Sequence, residues 1–256
     1  MPRESKKAAP PRRSWRTWLV AAGLLLLCAA TAMAAFKVRR YALEDAQFLL
    51  SRDRKDSIHL EGLKYASHYK VMRVFAGDYG HSIFSVPLDE RRRRLLGIDW
   101  VEDATVSRVW PDRLVVRLRE RTPVAYVSFR SGVLLIDAHG TLLDPPAASH
   151  FAFPVLSGVG DNETEDDRRE RVRTLLRFEQ DMGYLTKDLS EVDVSEMDNI
   201  RVVTQIERRA VQLTMGDSNF ASRYQNFVNH YPEIVKHSPE VKSFDLRMDD
   251  RITAKE

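Results

Sequence analysis

Between Arg16 and Lys37 the chain runs for 20 residues without a charge, dominated by Leu, Ala and Val. As a helix rising about 1.5 Å per residue, such a run spans the roughly 30 Å hydrocarbon core of a bilayer. Everything after it is patterned in short segments. Residues 37–56 mix charges with the apolar patch Phe48, Leu49 and Leu50 and predict a helical or irregular stalk. Ile58 to Leu63 alternates apolar and polar positions as a strand does, and Ser67 to Ala76 places Tyr69, Met72 and Phe75 or Ala76 at helical spacing. Pro87 to Leu96 predicts a second helix, with Asp89 and Glu90 near its positive dipole end and Gly97 at its stop. Val101 to Val109 and Leu114 to Glu120 read as a hairpin around Trp110-Pro111-Asp112-Arg113. The order strand, helix, helix, strand, strand predicts an α+β module.

A second module follows. Val124 to Ser128 and Gly132 to Ile136 are short strands, succeeded by a proline-containing stretch to Pro154. The charged residues 161–170 open a helix from Arg168 to Met182, with Val172, Leu175, Leu176, Phe178 and Met182 on one broad face. Leu189 to Val194, Ile200 to Ile206 and Ala210 to Met215 predict an antiparallel meander. Asn219 to Tyr231 carries Phe220, Tyr224, Phe227, Val228 and Tyr231 along one helical face, with Asp217 or Ser218 as the cap. Val241 to Leu246 is a late strand, resumed at Arg251 to Ala254, and a late strand is often a sheet edge. The whole reads as α+β: 1–16 a basic tail, 17–36 a transmembrane helix, 37–56 a stalk, 57–123 the first module and 124–256 a mixed β domain with an antiparallel sheet and two helices.

Charge changes this picture only at the amino terminus. The formal net charge is +3, but the first 16 residues hold six basic groups against Glu4, which leaves the rest near −2. The excess of Lys and Arg before the span places the amino terminus in the cytoplasm and the remainder outside. Trp15 and Trp18 at one end, and Phe36 and Tyr41 at the other, suit the headgroup level. Ala32-Met33-Ala34 also fits a cleavable export signal, although the even apolar run to Phe36 and the basic cluster after it favour an uncleaved anchor. With no basic bulk there is no sign of a nucleic-acid-binding face.

Candidate chemistry is thin. Cys28, the single cysteine, lies in the apolar run, so no intrachain disulfide is possible. There is no G-x-S-x-G, P-loop or H-E-x-x-H pattern, and the seven histidines are scattered without ligand-like spacing, so no metal, cofactor or catalytic residue is expected. Arg91 to Arg94 spread around a helix and read as a solvated surface. Trp100 and Trp110 read as fold residues. The Glu120 to Ala125 segment reads as structural.

Several segments in order, Ile58-His59-Leu60-Glu61-Gly62, Ser82-Ile83-Phe84-Ser85-Val86, Trp100 to Val106, Trp110-Pro111-Asp112-Arg113-Leu114, Glu120 to Ala125, Leu135 to Gly140, Phe153-Pro154-Val155-Leu156 and Phe244-Asp245-Leu246-Arg247, resemble the bacterial cell-division family FtsQ, called DivIB in some lineages. The resemblance covers nearly the whole chain. It implies a polypeptide-transport-associated (POTRA) domain followed by the family's β domain. It also implies a non-enzymatic divisome scaffold in the inner membrane at the septum, which joins FtsB and FtsL and through them influences FtsW and FtsI, the enzymes of septal peptidoglycan synthesis. The partner-binding segment then maps to Ser243, Phe244, Asp245, Leu246, Arg247, Met248 and Asp249, where an FtsB segment adds as a strand to an edge formed by the late strand. Arg247 stands at the family's partner-contacting arginine, suited to a bidentate carboxylate clamp. Met248 stands where an aromatic is expected. The main competing reading is a POTRA-bearing component of polypeptide secretion, for which a membrane β-barrel would normally follow. A third is an anchored envelope enzyme, which needs a cleft with paired carboxylates or a nucleophile.

Overall fold

The computed structural model describes residues 15–54, 56–146 and 149–255. The basic tail expected at 1–16 lies, up to residue 14, outside the described residues. Helix α1 (Trp15–Glu44) is longer than the expected span. It continues without a break eight residues past Phe36, none of its most apolar window is buried within the protein, and it is long and apolar enough to cross a membrane. The stretch expected as a stalk is therefore divided. Its first part is helix, and after a single turn capped by Asp45, Phe48 and Leu50 are buried. The main chain of 48–50 exchanges hydrogen bonds with Gly80, His81 and Ile83.

The remaining elements are β1 (Ile58–Glu61), α2 (His68–Val74), α3 (Leu88–Leu96), β2 (Val101–Val109), β3 (Arg113–Glu120), β4 (Pro123–Phe129), β5 (Gly132–Asp137), β6 (Leu142–Leu143), β7 (Val155–Ser157), α4 (Glu165–Met182), β8 (Leu189–Asp193), β9 (Ile200–Ile206), β10 (Arg209–Gly216), α5 (Phe220–His237), β11 (Ser243–Met248) and β12 (Arg251–Lys255). They form a three-stranded sheet, ordered β1-β3-β2, and a nine-stranded mixed sheet, ordered β12-β11-β10-β9-β8-β7-β4-β5-β6. The order strand, helix, helix, strand, strand is observed as the periodicities imply.

By contact density the chain divides into two compact units: residues 1–61, 72–93 and 105–117, and residues 62–71, 94–104 and 118–256. In the first, β1 pairs in parallel with β3 from Ile58↔Leu114 to Glu61↔Arg117. Ile58, Phe75, Ile83, Val86, Leu114 and Val116 are buried there. Arg91 corrects the reading of the arginine run as wholly solvated. It is buried, and its Nε and Nη2 each donate to the Asp78 carboxylate at 2.7 Å. A buried guanidinium is tolerable only with such a bidentate partner.

In the second unit, α4 and α5 supply Val172, Leu175, Phe178, Phe220, Tyr224 and Phe227 to a core shared with the inner faces of the strands. α4 begins at Glu165, three residues before the expected start, because Thr164 and Asp167 form a capping box there. The cap of α5 differs from expectation: Asn219 is the N-cap and makes no side-chain capping bond. Instead Asp181 reaches across from α4 and accepts the amides of Phe220 and Ala221 at 2.8 and 3.3 Å. α5 also runs past Tyr231, through Pro232, to His237.

Glu120 and Arg121 hold loops. The Glu120 carboxylate accepts the amides of Lys64, Tyr65 and Ala66 at 2.8 Å in its shortest contact to each. Arg121 pairs at 2.8 Å with buried Asp137, whose other oxygen accepts the His139 and Thr141 amides of the following turn. Gly62 is the residue this packing demands. It has φ +81°, and a Cβ there would lie 2.0 Å from the Leu118 carbonyl oxygen. The two tryptophans part company. Trp100 is buried and donates its indole N–H to the Asp144 carbonyl at 2.9 Å, as a fold residue should. Trp110 is 68% exposed, which corrects its assignment to the fold.

Candidate partner-binding site

The expected site falls at one end of the nine-stranded sheet. β11 runs parallel to β10 from Gln212↔Ser243 to Thr214↔Asp245 and antiparallel to β12 from Ser243↔Lys255 to Met248↔Arg251. Ser243 to Asp245 are thus paired on both sides, and among the described residues β12 is the outermost strand. This corrects the expectation that the strand containing 243–249 is itself the edge. The chain turns at Asp249-Asp250 and adds one more strand outside it. A strand already paired on both sides has no main-chain groups left for a newcomer, whereas an outermost strand has one free side.

The alternation of β11 sorts its side chains. Phe244 and Leu246 are buried in the core, with the Phe244 ring 5.0 Å from Phe227 and 6.5 Å from Tyr231. Between Asp245 and Met248 the register with β12 shifts, so Leu246 and Arg247 stand opposite Ile252 alone. Two residues against one is a bulge, which bends the strand and turns its side chains outward. The Arg247 side chain is half exposed, Met248 is 62% exposed and Asp249 is exposed.

Arg247 is engaged within the strand. Its Nη2 donates to Asp245 Oδ2 at 2.7 Å, Nε donates to the same carboxylate, and its own amide donates to Oδ1 at 3.1 Å. Lys255 on β12 approaches Asp245 to 3.2 Å from the other side. The Asp245 carboxyl is accordingly held well below the usual range, first by the Arg247 side chain and then, against the cost of burial, by the Arg247 amide and Lys255. The Arg247 guanidinium is raised by the same partner.

Asp249 pairs elsewhere. Arg223 on α5 donates Nε to Asp249 Oδ1 and Nη1 to the Met215 carbonyl, at 2.7 and 2.8 Å. The Asp249 carboxyl is lowered, chiefly by Arg223. Gly216 makes room for both arginines: with φ +78°, a Cβ there would lie 3.0 Å from Arg223 Nη1 and 3.3 Å from Arg247 Cγ. Sequence reasoning did not include Arg223, Lys255 or Gly216 in the site. A glycine at the end of a strand is a legible signal for Gly216, but the two cations are brought in only by the packing of α5 and β12.

Beside the edge, His230, Glu233 and Ile234 of α5 and Phe244, Ile252 and Ala254 of the strands line a cleft of about 240 Å³. A larger cleft of about 600 Å³, between Pro123, Phe153, Pro154 and Leu189, holds the carboxylate Glu179 and the ammonium Lys187. Burial pushes the Glu179 carboxyl up.

The architecture and this edge define a class: a chain with one amino-terminal apolar helix, a small strand-helix-helix-strand-strand module and a large mixed sheet carrying an open outer strand. Comparison with known families gives the class its place. Residues 55–121 match the model of the POTRA domain, FtsQ-type, and residues 125–247 match that of the cell division protein FtsQ/DivIB, C-terminal. The cell division protein FtsQ of Koribacter versatilis is 36% identical over 257 aligned positions, covering 98% of this chain and 72% of that protein. That of Novosphingobium aromaticivorans is 29% identical, covering 76% of this chain and 59% of its own length. That of Bordetella pertussis is 31% identical, covering 54% and 52%. The chain belongs to the FtsQ/DivIB family of cell-division proteins. The matched C-terminal region stops at Arg247, so β12 lies beyond it.

Proposed function

We propose that this chain is a divisome scaffold without chemistry of its own, anchored by α1 in the inner membrane at the septum with its amino terminus in the cytoplasm. A POTRA domain at 57–123 and a β domain at 124–256 stand outside. The β domain captures an extended segment of FtsB, together with FtsL, and through them bears on septal peptidoglycan synthesis by FtsW and FtsI. The observation that carries this reading is the five-residue outer strand β12, four of whose residues are exposed, lying beside the bulge that turns Arg247 and Met248 outward.

Strand addition on the free side of β12 supplies main-chain hydrogen bonds, which favour any extended partner. Selectivity then falls to the side chains around the bulge, Arg247, Met248 and Asp249, with Ser243 to Leu246 as the foundation that holds β12 in place. Arg247 is pre-positioned by Asp245, with part of its fork still facing outward for a partner carboxylate. Met248 offers a flexible thioether for an irregular apolar contact.

The test is binding of the full-length chain in nanodiscs to the extracytoplasmic segment of FtsB. Arg247→Glu is expected to weaken binding about tenfold or more, roughly 1.4 kcal/mol, and Arg247→Ala to weaken it less. A folded wild-type chain that does not bind the segment, or an Arg247→Glu chain that binds equally well, rejects capture at this edge.

A further inference from the structure

We infer that the first compact unit rests directly on the membrane surface, with Trp110, Phe84 and Val109 seated among phospholipid headgroups beside the exit of α1. The inference rests on α1 being the membrane span. Its apolar run ends at Phe36, but the helix continues without a break to Glu44, so Tyr41 stands five residues, or about 7.5 Å, beyond the hydrocarbon boundary. That is headgroup depth.

The folded part of the unit is tied to the helix at this level. The Ser82 hydroxyl donates to the Ala42 carbonyl at 2.6 Å, and the Tyr41 ring meets Phe48 edge-on at 5.5 Å. Phe48 is buried and forms the hub. Phe84 lies 5.3 Å from it and Trp110 6.3 Å from it. The aromatic set is therefore one ring removed from Tyr41, and helix, hub and patch belong to one compact unit. Arg108 fixes the Phe84 segment by donating Nε to the Ile83 carbonyl and Nη2 to the Val86 carbonyl, both at 2.6 Å.

This anchored set nevertheless leaves large apolar surface uncovered. Trp110 is 68% exposed, Phe84 44% and Val109 38%. A tryptophan so exposed leaves most of its indole outside the core despite its contact with Phe48, while the headgroup zone is the medium that best accepts an amphipathic indole. Lys37 and Arg39, exposed on the same length of helix, are placed to meet lipid phosphates at that level. Continuity with the span selects the occupant. A soluble partner could cover the patch, but a lipid surface is already held there by α1.

Spin labels on the full-length chain in nanodiscs of mixed zwitterionic and anionic phospholipid test this. Collision with oxygen, which concentrates in lipid, is compared with collision with a water-soluble nickel chelate. A label on the native Cys28 reports the span itself. Labels at Phe84→Cys and Val109→Cys, in a Cys28→Ser background, report the patch, and Tyr184→Cys, an exposed position in the second unit, reports water. The oxygen-to-nickel ratio is expected to be about threefold or more higher at 84 and 109 than at 184, and to fall at 109 when Trp110→Ser is added. Labels at 84 and 109 that match 184 while Cys28 reads lipid overturn the resting patch and leave the anchor standing. A Cys28 label that reads water overturns both. No response to Trp110→Ser overturns the part assigned to the indole.

Discussion

β6 and β12 terminate the same nine-stranded sheet, yet they present opposite faces to a passing chain. β6 has two residues, Leu143 is fully buried, the Asp144 carbonyl that follows accepts the Trp100 indole, and Pro145 and Pro146 come next with no amide hydrogen to offer. β12 has five residues, four of them exposed, and no proline. An exposed edge invites uncontrolled pairing, and proteins blunt it by shortness, proline, charge or cover. At β6 the first, second and fourth devices are used. Among the described residues β12 carries only charge, in Arg251 and Lys255, and charge filters partners without removing the free main chain. The difference teaches that an open end is not imposed by the sheet itself, since the same sheet is blunted at its other end.

The largest effect should come from removing the foundation of the open end. Phe244→Ala takes a ring out of full contact with Phe227 and Tyr231 and is expected to cost about 3–5 kcal/mol, a fall in Tm of about 6–20 °C. Thermal unfolding measures it. A loss below about 1 kcal/mol would mean that β11 is not rooted in the core as its burial implies.

Next comes the contrast between the edges themselves. With FtsB segment bound, amide hydrogen exchange should slow on alternate residues of β12 and stay unchanged at Leu142 and Leu143. An FtsB segment N-methylated on alternate amides should lose about tenfold in affinity for one of the two alternate sets and much less for the other. Equal losses for both sets would replace strand pairing with side-chain docking.

The closed end gives a smaller effect. Trp100→Phe replaces the buried indole by a smaller phenyl ring and removes the donor to Asp144; the lost hydrogen bond alone is expected to cost about 0.5–1.5 kcal/mol, with faster exchange confined to the β6 end. Partner binding at β12 should not change.

The smallest effect is the acid dependence of the open end. Because the folded Asp245 carboxyl is held below its unfolded value, its contribution is complete above about pH 4, the ordinary carboxylate range, and is lost as pH falls toward the folded value. Asp245→Asn should therefore lower Tm modestly at pH 7 and converge with wild type in acid. Curves that stay parallel down to pH 2.5 or so would show that the Arg247 and Lys255 pairings contribute nothing measurable.

Much of the fold was legible because its signals are local. The uncharged run, the two-residue alternation of β9 and the helical spacing of Phe220, Tyr224, Phe227 and Tyr231 each depend on neighbours within a few residues, and each element is present, although α1 and α5 run past their expected ends. The order of residues puts Arg247 and Met248 at a late strand with two acids, Asp245 and Asp249, each two residues from Arg247. It could not choose between them, since that depends on Arg223, 26 residues before Asp249, being carried to it by α5.

What the sequence by itself determined is the list of elements, their order, the apolar span and the family resemblance, because side-chain periodicity and uninterrupted apolar length are properties of consecutive residues. Only the tertiary structure decided that β11 is an inner strand and β12 the edge, that Trp100 is covered while Trp110 is bare, that Arg91 is buried on Asp78, and that Asp181 rather than Asp217 or Ser218 caps α5. Each of those outcomes turns on which distant groups share a boundary. Burial, sheet order and ion pairing are set by the closest approach of segments that are far apart in the chain.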